Sequence, residues 1–144
     1  MKLDFVQVKK MEFDANTENL KLIRDGFRAL FSEYQIAKHT SDEMVIALNE
    51  ACMNIIQHAY KGQIGKIEID IKKNANQWRF ELIDFAPLVD INAIKAKDLA
   101  EVRPGGLGVN FLKKIMDSVV YENIQNSQQQ GNKLTLTKQI STSD

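Results

Sequence analysis

Three polar side chains recur at intervals of four residues within the segment NEACMNIIQHAY, namely Glu50, Asn54 and His58. On an α-helix each step of four residues advances by only about 40°, so the three share an arc of roughly 80°. Asn and His are weak helix formers in mid-helix and good ligands. A carboxylate, an amide and an imidazole in one line therefore predict the wall of a ligand pocket, with a solvated helix edge as the alternative.

The rest of this helix is almost entirely apolar, with Asn49 as the one polar interruption. Its apolar residues cover about 220° of a helical wheel, against a little over 100° for an ordinary surface helix. We therefore expect the helix to be buried on nearly all sides and to form a central wall of the core. The single cysteine, Cys52, lies in this apolar part and is expected to be a small buried hydrophobe.

A second candidate is the carboxylate of Asp84, at the end of a predicted strand. Trp78, Phe80, Leu82 and Asp84 share one strand face by period-two alternation. Because the first three are large hydrophobes, Asp84 should point inward and needs a partner there. A donor on a ligand and a backbone N–H in the turn before Pro87 are both suitable.

A third candidate is the loop RPGGLG, which spans residues 103–108 and precedes an amphipathic helix. Glycines allow close approach of a ligand to the backbone, and a helix N-terminus offers unpaired N–H groups. The combination suits a phosphate, for which Arg103 is a further candidate partner. A flexible hinge is the alternative interpretation.

Composition excludes some classes of function. Lys plus Arg and Asp plus Glu are equal, at 19 each, and a non-specific nucleic-acid or membrane binder needs a basic excess. No segment resembles a signal peptide or a membrane span. We expect a cytoplasmic protein with one domain over residues 1–144.

The order of predicted elements is β-α-α-β-β-(α)-α-β-β, with the bracketed helix at Ile91 to Ala100. Thr40 and Glu43 form a predicted capping box at the start of the second helix, and Gly62 follows its end. The Gln- and Asn-rich stretch from Asn123 to Asn132 is predicted to be a polar loop. The fold class is α+β, with helices on one face of a mixed, mostly antiparallel sheet.

The three candidates, in this order, resemble the GHKL ATPase superfamily, and most closely the anti-sigma factor serine/threonine kinases of the RsbW and SpoIIAB type. The segment ALNEACMNIIQHAYKG resembles the N box of that group, IDFAP its first glycine box, and RPGGLGVNFLKKIMD its second. The resemblance covers nearly the whole chain and implies a Bergerat-type α/β sandwich.

The resemblance also implies ATP and Mg²⁺ as cofactors and a role for each matching residue. Glu50 is the implied general base, Asn54 the implied Mg²⁺ ligand, and Asp84 the implied acceptor for the adenine amino group. The other implied nucleotide-binding residues are His58, Ala86, Arg103, Gly105, Gly106, Leu107 and Gly108, with backbone N–H groups of Gly106 and Gly108 on the phosphates.

Two positions depart from the pattern of the superfamily. Ala86 stands where the first glycine box has a glycine, which would weaken ATP binding if the site needs positive φ or a close approach. Asn132 stands after Gly131 where many members have threonine, and its side chain can still form a hydrogen bond.

The function implied is phosphorylation of a STAS-domain antagonist, with a sigma factor as a further partner and a homodimer as the assembly. One alternative is a switch kinase in a phosphatase-activating pathway. The other is a non-catalytic, nucleotide-dependent binding module, which has no need of a carboxylate at Glu50.

Overall fold

A five-stranded sheet with helices on one side forms the part of the chain that the computed structural model describes, residues 4–93 and 108–140. The elements are β1 (Val6–Asp14), α1 (Leu20–Glu33), α2 (Lys38–Asn54), β2 (Lys66–Lys73), β3 (Gln77–Asp84), α3 (Gly108–Ile115), β4 (Ser118–Gln125) and β5 (Gln130–Gln139). Of the helix predicted at Ile91 to Ala100, residues 91–93 are helical and the remainder lies outside the described residues.

The strand order is β1-β2-β3-β5-β4, and each neighbouring pair is antiparallel. The predicted fold class is therefore confirmed, while the mixed sheet is corrected to four antiparallel pairings among the described strands. The turn between β2 and β3 depends on Asn74, whose Oδ1 accepts the N–H groups of Asn76 and Gln77 at 2.9 and 2.8 Å.

The two faces of the sheet differ in chemistry because the strands alternate. Ile67, Ile69 and Ile71 of β2 point to the helices and are fully buried. Trp78 and Phe80 of β3 lie on the same side, where Phe31 of α1 meets both rings edge to face at 5.8 and 6.0 Å. This apolar layer fixes β3 under the helices and so fixes the direction in which Asp84 points.

Two local predictions are wrong. Helix α2 starts at Lys38 with Ala37 as its N-cap and no side-chain cap, so Thr40 and Glu43 do not form a capping box. The Ser41 N–H already bonds to the carbonyl oxygen of Ala37 at 2.9 Å, which places Thr40 inside the first turn.

The predicted loop from Asn123 to Asn132 is also wrong, because most of it is strand. Asn123 pairs directly with Asn132 across β4 and β5, and Gln125 pairs with Gln130. Only the four residues between these strands form the turn, which the Asn126 N–H closes by donating to the carbonyl oxygen of Gln129 at 2.9 Å.

Candidate functional site

Helix α2 and the turn that follows it form one wall of the candidate site. The three polar side chains spaced by four residues run along this wall from the core towards solvent. Glu50 is buried, with only 6% of its surface exposed, Asn54 is partly buried, and His58 is exposed. Asn49, the polar interruption, accepts a hydrogen bond from Arg24 Nη1 of α1 at 3.0 Å. The predicted burial of the apolar face is confirmed for most of its residues, while Met53 and Ala59 are partly buried and Ile46 is 47% exposed.

The α-helical geometry ends at Asn54, since Ile55–Ala59 forms a π-helical turn. The Tyr60 N–H donates to the carbonyl oxygen of Ile55 at 3.0 Å, five residues back. The wheel based on a regular α-helix therefore holds for Glu50 and Asn54 and does not hold for His58. Turns of this kind are rare and occur frequently at functional sites. Lys61 and Gly62 end the helix with positive φ, so the predicted terminal glycine is confirmed.

Asp84 lies at the end of β3 and points inward as predicted, with 3% of its surface exposed. Its Oδ1 accepts the Ala86 N–H at 3.0 Å and Asn132 Nδ2 at 2.9 Å. Burial raises the pKa of this carboxyl, and the hydrogen bonds from Asn132 and Ala86 oppose the rise only in part. The backbone partner expected from the sequence is present, and it shares one carboxylate oxygen with a second donor.

Ala86, the first departure, is buried and is not among the described non-glycine residues with positive φ, which are Gln35 and Lys61. The backbone here suits any L-residue. A methyl side chain therefore causes no backbone strain at this position.

Asn132, the second departure, is buried and connects β5 to the loop that follows Asp84. Its Nδ2 donates to Asp84 Oδ1 and to the carbonyl oxygen of Pro87, at 2.9 and 3.1 Å. Its Oδ1 accepts the Val89 N–H and Asn123 Nδ2, at 2.9 and 3.0 Å. An amide has two N–H donors and two acceptor lone pairs, and here all four are used. A threonine hydroxyl, with one donor, could not form this set.

Two further residues contribute to the site, and the sequence analysis did not assign them a role. The hydroxyl of Tyr60 accepts a hydrogen bond from the N–H of Phe85, the residue after Asp84. Gly131 lies against the carbonyl group of Asp84. In the sequence, Tyr60 is one of the residues on the apolar side of the helix, and nothing in its position indicates a bond to Phe85. For Gly131 the residue type itself is the signal in the sequence, because two strands approach here too closely for a side chain.

The remaining predicted residues belong to the glycine loop. Arg103, Gly105, Gly106 and Leu107 lie outside the described residues, and Gly108 is the first residue of α3. Helix α3, which begins at Gly108, packs against α2, the helix that carries Glu50 and Asn54.

The donor set suits a magnesium ion held mainly by a ligand rather than by the protein. Within residues 4–93 and 108–140, no group of three or more His, Cys, Asp or Glu side chains could hold a metal ion. Mg²⁺ keeps several waters and takes only one or two protein oxygens together with substrate phosphates. The partly buried amide of Asn54 fits that requirement.

Cys52 is fully buried, and burial raises its pKa to about 12, so it is the inert core residue that the sequence predicted. No helix in the described ranges is long and apolar enough to cross a bilayer.

Comparison with known proteins defines the class. The chain belongs to the histidine kinase-like ATPase domain family, whose model matches residues 13–138. The catalytic domain of the histidine kinase ThkA, in a nucleotide-free form, has a TM-score of 0.52 at 15% identity, over 93% of this chain and 99% of that domain. That likeness shows a shared fold.

Within that class, the chain is similar to proteins named serine-protein kinase RsbW. The protein of Bacillus thuringiensis (strain Al Hakam) is 28% identical over 118 residues, which cover 76% of this chain and 74% of the relative. That of Bacillus cereus (strain B4264) is 27% identical over the same extent. The resemblance drawn from the sequence is confirmed by these matches.

Proposed function

We propose that this protein is an ATP-dependent serine/threonine kinase of the anti-sigma factor type. The observation that carries the proposal is a buried carboxylate, Glu50, one helical turn before the partly buried amide of Asn54. Such a pair sets a proton acceptor one helical turn from a candidate metal ligand, and phosphoryl transfer uses both kinds of group. The relatives named serine-protein kinase support the same interpretation.

The proposed reaction is transfer of the γ-phosphoryl group of ATP to a hydroxyl group. Glu50 accepts the proton of the attacking serine or threonine, whose oxygen bonds to the γ-phosphorus. The bond from that phosphorus to the β–γ bridging oxygen breaks, and ADP leaves with the electron pair. Phosphoryl transfer needs positioning, charge neutralisation and a base, and little else from the protein.

In this proposal the nucleotide is held at its two ends. Asp84 accepts the adenine amino group through Oδ2, since Oδ1 already has two donors. Asn54 holds Mg²⁺, which when bound neutralises charge on the phosphates. Gly106 and Gly108 supply backbone N–H groups to those phosphates, and Arg103 supplies a positive charge. Gly105 and Leu107 belong to the same loop, and His58 and Ala86 lie at the margin of the pocket.

The proposed substrate is a STAS-domain antagonist protein, and the proposed output is partner switching with a sigma factor. A homodimer is the proposed assembly and the cytoplasm the proposed location. Support comes from the similarity to RsbW. The nearly neutral composition, with 19 basic and 19 acidic residues, agrees with protein rather than nucleic-acid partners.

The decisive experiment incubates the protein with a candidate STAS-domain protein, Mg²⁺ and ATP labelled at the γ-phosphate. We expect transfer by the wild type and a loss of about 100-fold or more in Glu50→Gln, because general-base catalysis contributes about 10²–10⁴-fold. ADP binding should persist in that variant, since Glu50 is not assigned to the nucleotide base.

Glu43→Gln is the matched control, because Glu43 lies on the same helix, is partly exposed and pairs with His39 at 3.6 Å. It should transfer phosphate as well as the wild type does. Full transfer by Glu50→Gln would contradict the assignment of the base. ATP binding by the wild type without transfer to STAS-domain proteins would favour the binding module.

A further inference from the structure

The hydroxyl of Tyr60 joins three separate segments of the chain. It donates to the carbonyl oxygen of Lys66 at 2.6 Å and accepts the Lys66 N–H at 3.2 Å. It also accepts the Phe85 N–H at 2.8 Å. A hydroxyl has one donor and two acceptor lone pairs, so the whole capacity of this group is used on backbone. The bond to Phe85 ties the end of the π-helical turn to the residue that follows Asp84.

The peptide unit between Asp84 and Phe85 is held from its other edge as well. A Cβ atom at Gly131 would lie 2.0 Å from the carbonyl oxygen of Asp84, so β5 packs its bare backbone against this peptide. The N–H edge is held by a hydrogen bond and the carbonyl edge by close contact. The orientation of this peptide sets the direction of the Cα–Cβ bond of Asp84.

The position of the Tyr60 ring is itself restricted. A Cβ atom at Gly65 would lie 2.0 Å from Cε1 of Tyr60, so the ring fills the space above that glycine. The ring is buried, and burial raises the pKa of its hydroxyl. Tyr60 is therefore a fixed group that connects the helix of Glu50 and Asn54 to the strand of Asp84.

We propose that Tyr60 is a positioning residue for recognition of the nucleotide base, which it serves by fixing the Asp84–Phe85 peptide relative to helix α2. The inference rests on the proposed function, since it assumes that Asp84 accepts the adenine amino group. Tyr60 does not touch the ligand in this proposal. Its effect should appear as discrimination between bases rather than as a general loss of binding.

The test measures the dissociation constants of ADP and GDP with Mg²⁺ by titration calorimetry, in the wild type and in Tyr60→Phe. Guanine has a carbonyl oxygen in place of the adenine amino group, so at that position it presents an acceptor and offers no donor to Asp84. We expect ADP affinity to fall about 3- to 10-fold, the value of one hydrogen bond, and GDP affinity to stay within about twofold. A purely structural role would weaken both nucleotides equally.

Tyr34→Phe is the matched control, because it removes the same atom from a partly exposed tyrosine whose ring packs on Trp78. It should leave both affinities unchanged. Gly65→Ala keeps the hydroxyl and displaces the ring, and it should reduce the preference for ADP as Tyr60→Phe does. Circular dichroism checks that both variants are folded.

An unchanged ratio of GDP to ADP dissociation constants in folded Tyr60→Phe would overturn the inference, whether neither nucleotide is weakened or both are weakened equally. The proposed function fails in a different way, because the wild type itself would then show no preference for ADP over GDP.

Discussion

At the scale of single residues, the site contains two buried carboxylates with different surroundings. Glu50 is buried on helix α2, whereas Asp84 is buried at the end of a strand and has two donors on one oxygen. Asn132 is the residue that makes the second environment possible. Because all of its bonding capacity is used within the protein, it orients Asp84 and the following loop rather than the ligand.

The charge of Asp84 should cost stability. Burial raises its pKa above the ordinary value of 3.8, so the folded state holds the proton to a higher pH than the unfolded state does. Protonation of Asp84 therefore stabilises the folded state relative to its ionised form. This stabilisation is complete at pH values below the pKa of the carboxyl in the unfolded state, and it is lost as the pH rises through the raised pKa of the folded state. At neutral pH the ionised carboxylate therefore destabilises the fold.

We predict that Asp84→Asn abolishes measurable ADP binding without lowering the free energy of unfolding at pH 7. An asparagine oxygen can keep both bonds to Oδ1, and the buried charge is gone, so stability should be unchanged or higher by about 1 kcal/mol. Urea denaturation at pH 7 and at pH 5 measures this. A loss of several kcal/mol would mean that the carboxylate is structural.

At the scale of elements, the site depends on the close pairing of β3 with β5. Asp84 lies opposite Asn132 in the register, and Gly131 precedes it without a side chain. The atoms that a Cβ at Gly131 would meet belong to the backbone of Asp84 and Phe85 and cannot rotate away. The glycine is required by the close approach of the strands, since its φ is not positive.

We predict that Gly131→Ala destabilises the protein by about 2–4 kcal/mol and weakens ADP binding, because the ends of both strands must separate. Gly26→Ala is the matched control. Gly26 lies inside α1, and its added methyl would meet only the flexible Met11 side chain, at 3.3 Å. That variant should be neutral or more stable by up to about 1 kcal/mol, the difference in helix propensity.

Urea denaturation of both glycine variants measures the two effects. Equal and small changes would contradict the close approach of β5 to Asp84. Increased stability of Gly131→Ala would contradict it as well.

At the scale of the whole molecule, the proposed ligand would contact parts of the fold that are far apart in the sequence. Helix α2, the end of β3 and the start of α3 come from three regions of the sequence. A nucleotide that contacts all of them binds only the folded state. Its binding free energy should therefore add to the free energy of unfolding.

We predict that Mg²⁺–ATP at about 100 times its dissociation constant adds about 2.7 kcal/mol to stability. For a chain of this size that corresponds to a rise in melting temperature of about 5–10 °C. Differential scanning fluorimetry measures it, with GTP and Asp84→Asn as controls that should give smaller shifts. Removal of Mg²⁺ with a chelator should reduce the shift produced by ATP. The absence of a shift at saturating ATP would count against the nucleotide site.

Much of the fold was predictable because its signals are local. Alternation along β3 placed Trp78, Phe80 and Leu82 in the core and pointed Asp84 inward, and Asn74 marked the hairpin turn. Helical spacing also placed Glu50 and Asn54 on one side of α2, whereas His58 lies in the π-helical turn, where that spacing no longer applies. The same local reasoning failed at Thr40 and at the Asn-rich stretch, where residue type suggested a cap and a loop but backbone pairing in the fold prevailed.

The sequence by itself predicted that Asp84 points inward and that Glu50 and Asn54 lie on one side of a helix, because periodicity depends only on the local backbone. Tertiary structure alone decided how those side chains are held. The bond from Phe85 to Tyr60 and the bond of Asn132 to Asp84 join residues that are far apart in the sequence, so they depend on the packing of distant segments. The π-helical turn is local, but the residue types in its segment did not predict it. No local pattern predicts a contact between distant segments, because the residue type shows that a side chain has a hydroxyl or an amide but not whether a partner forms a hydrogen bond with it.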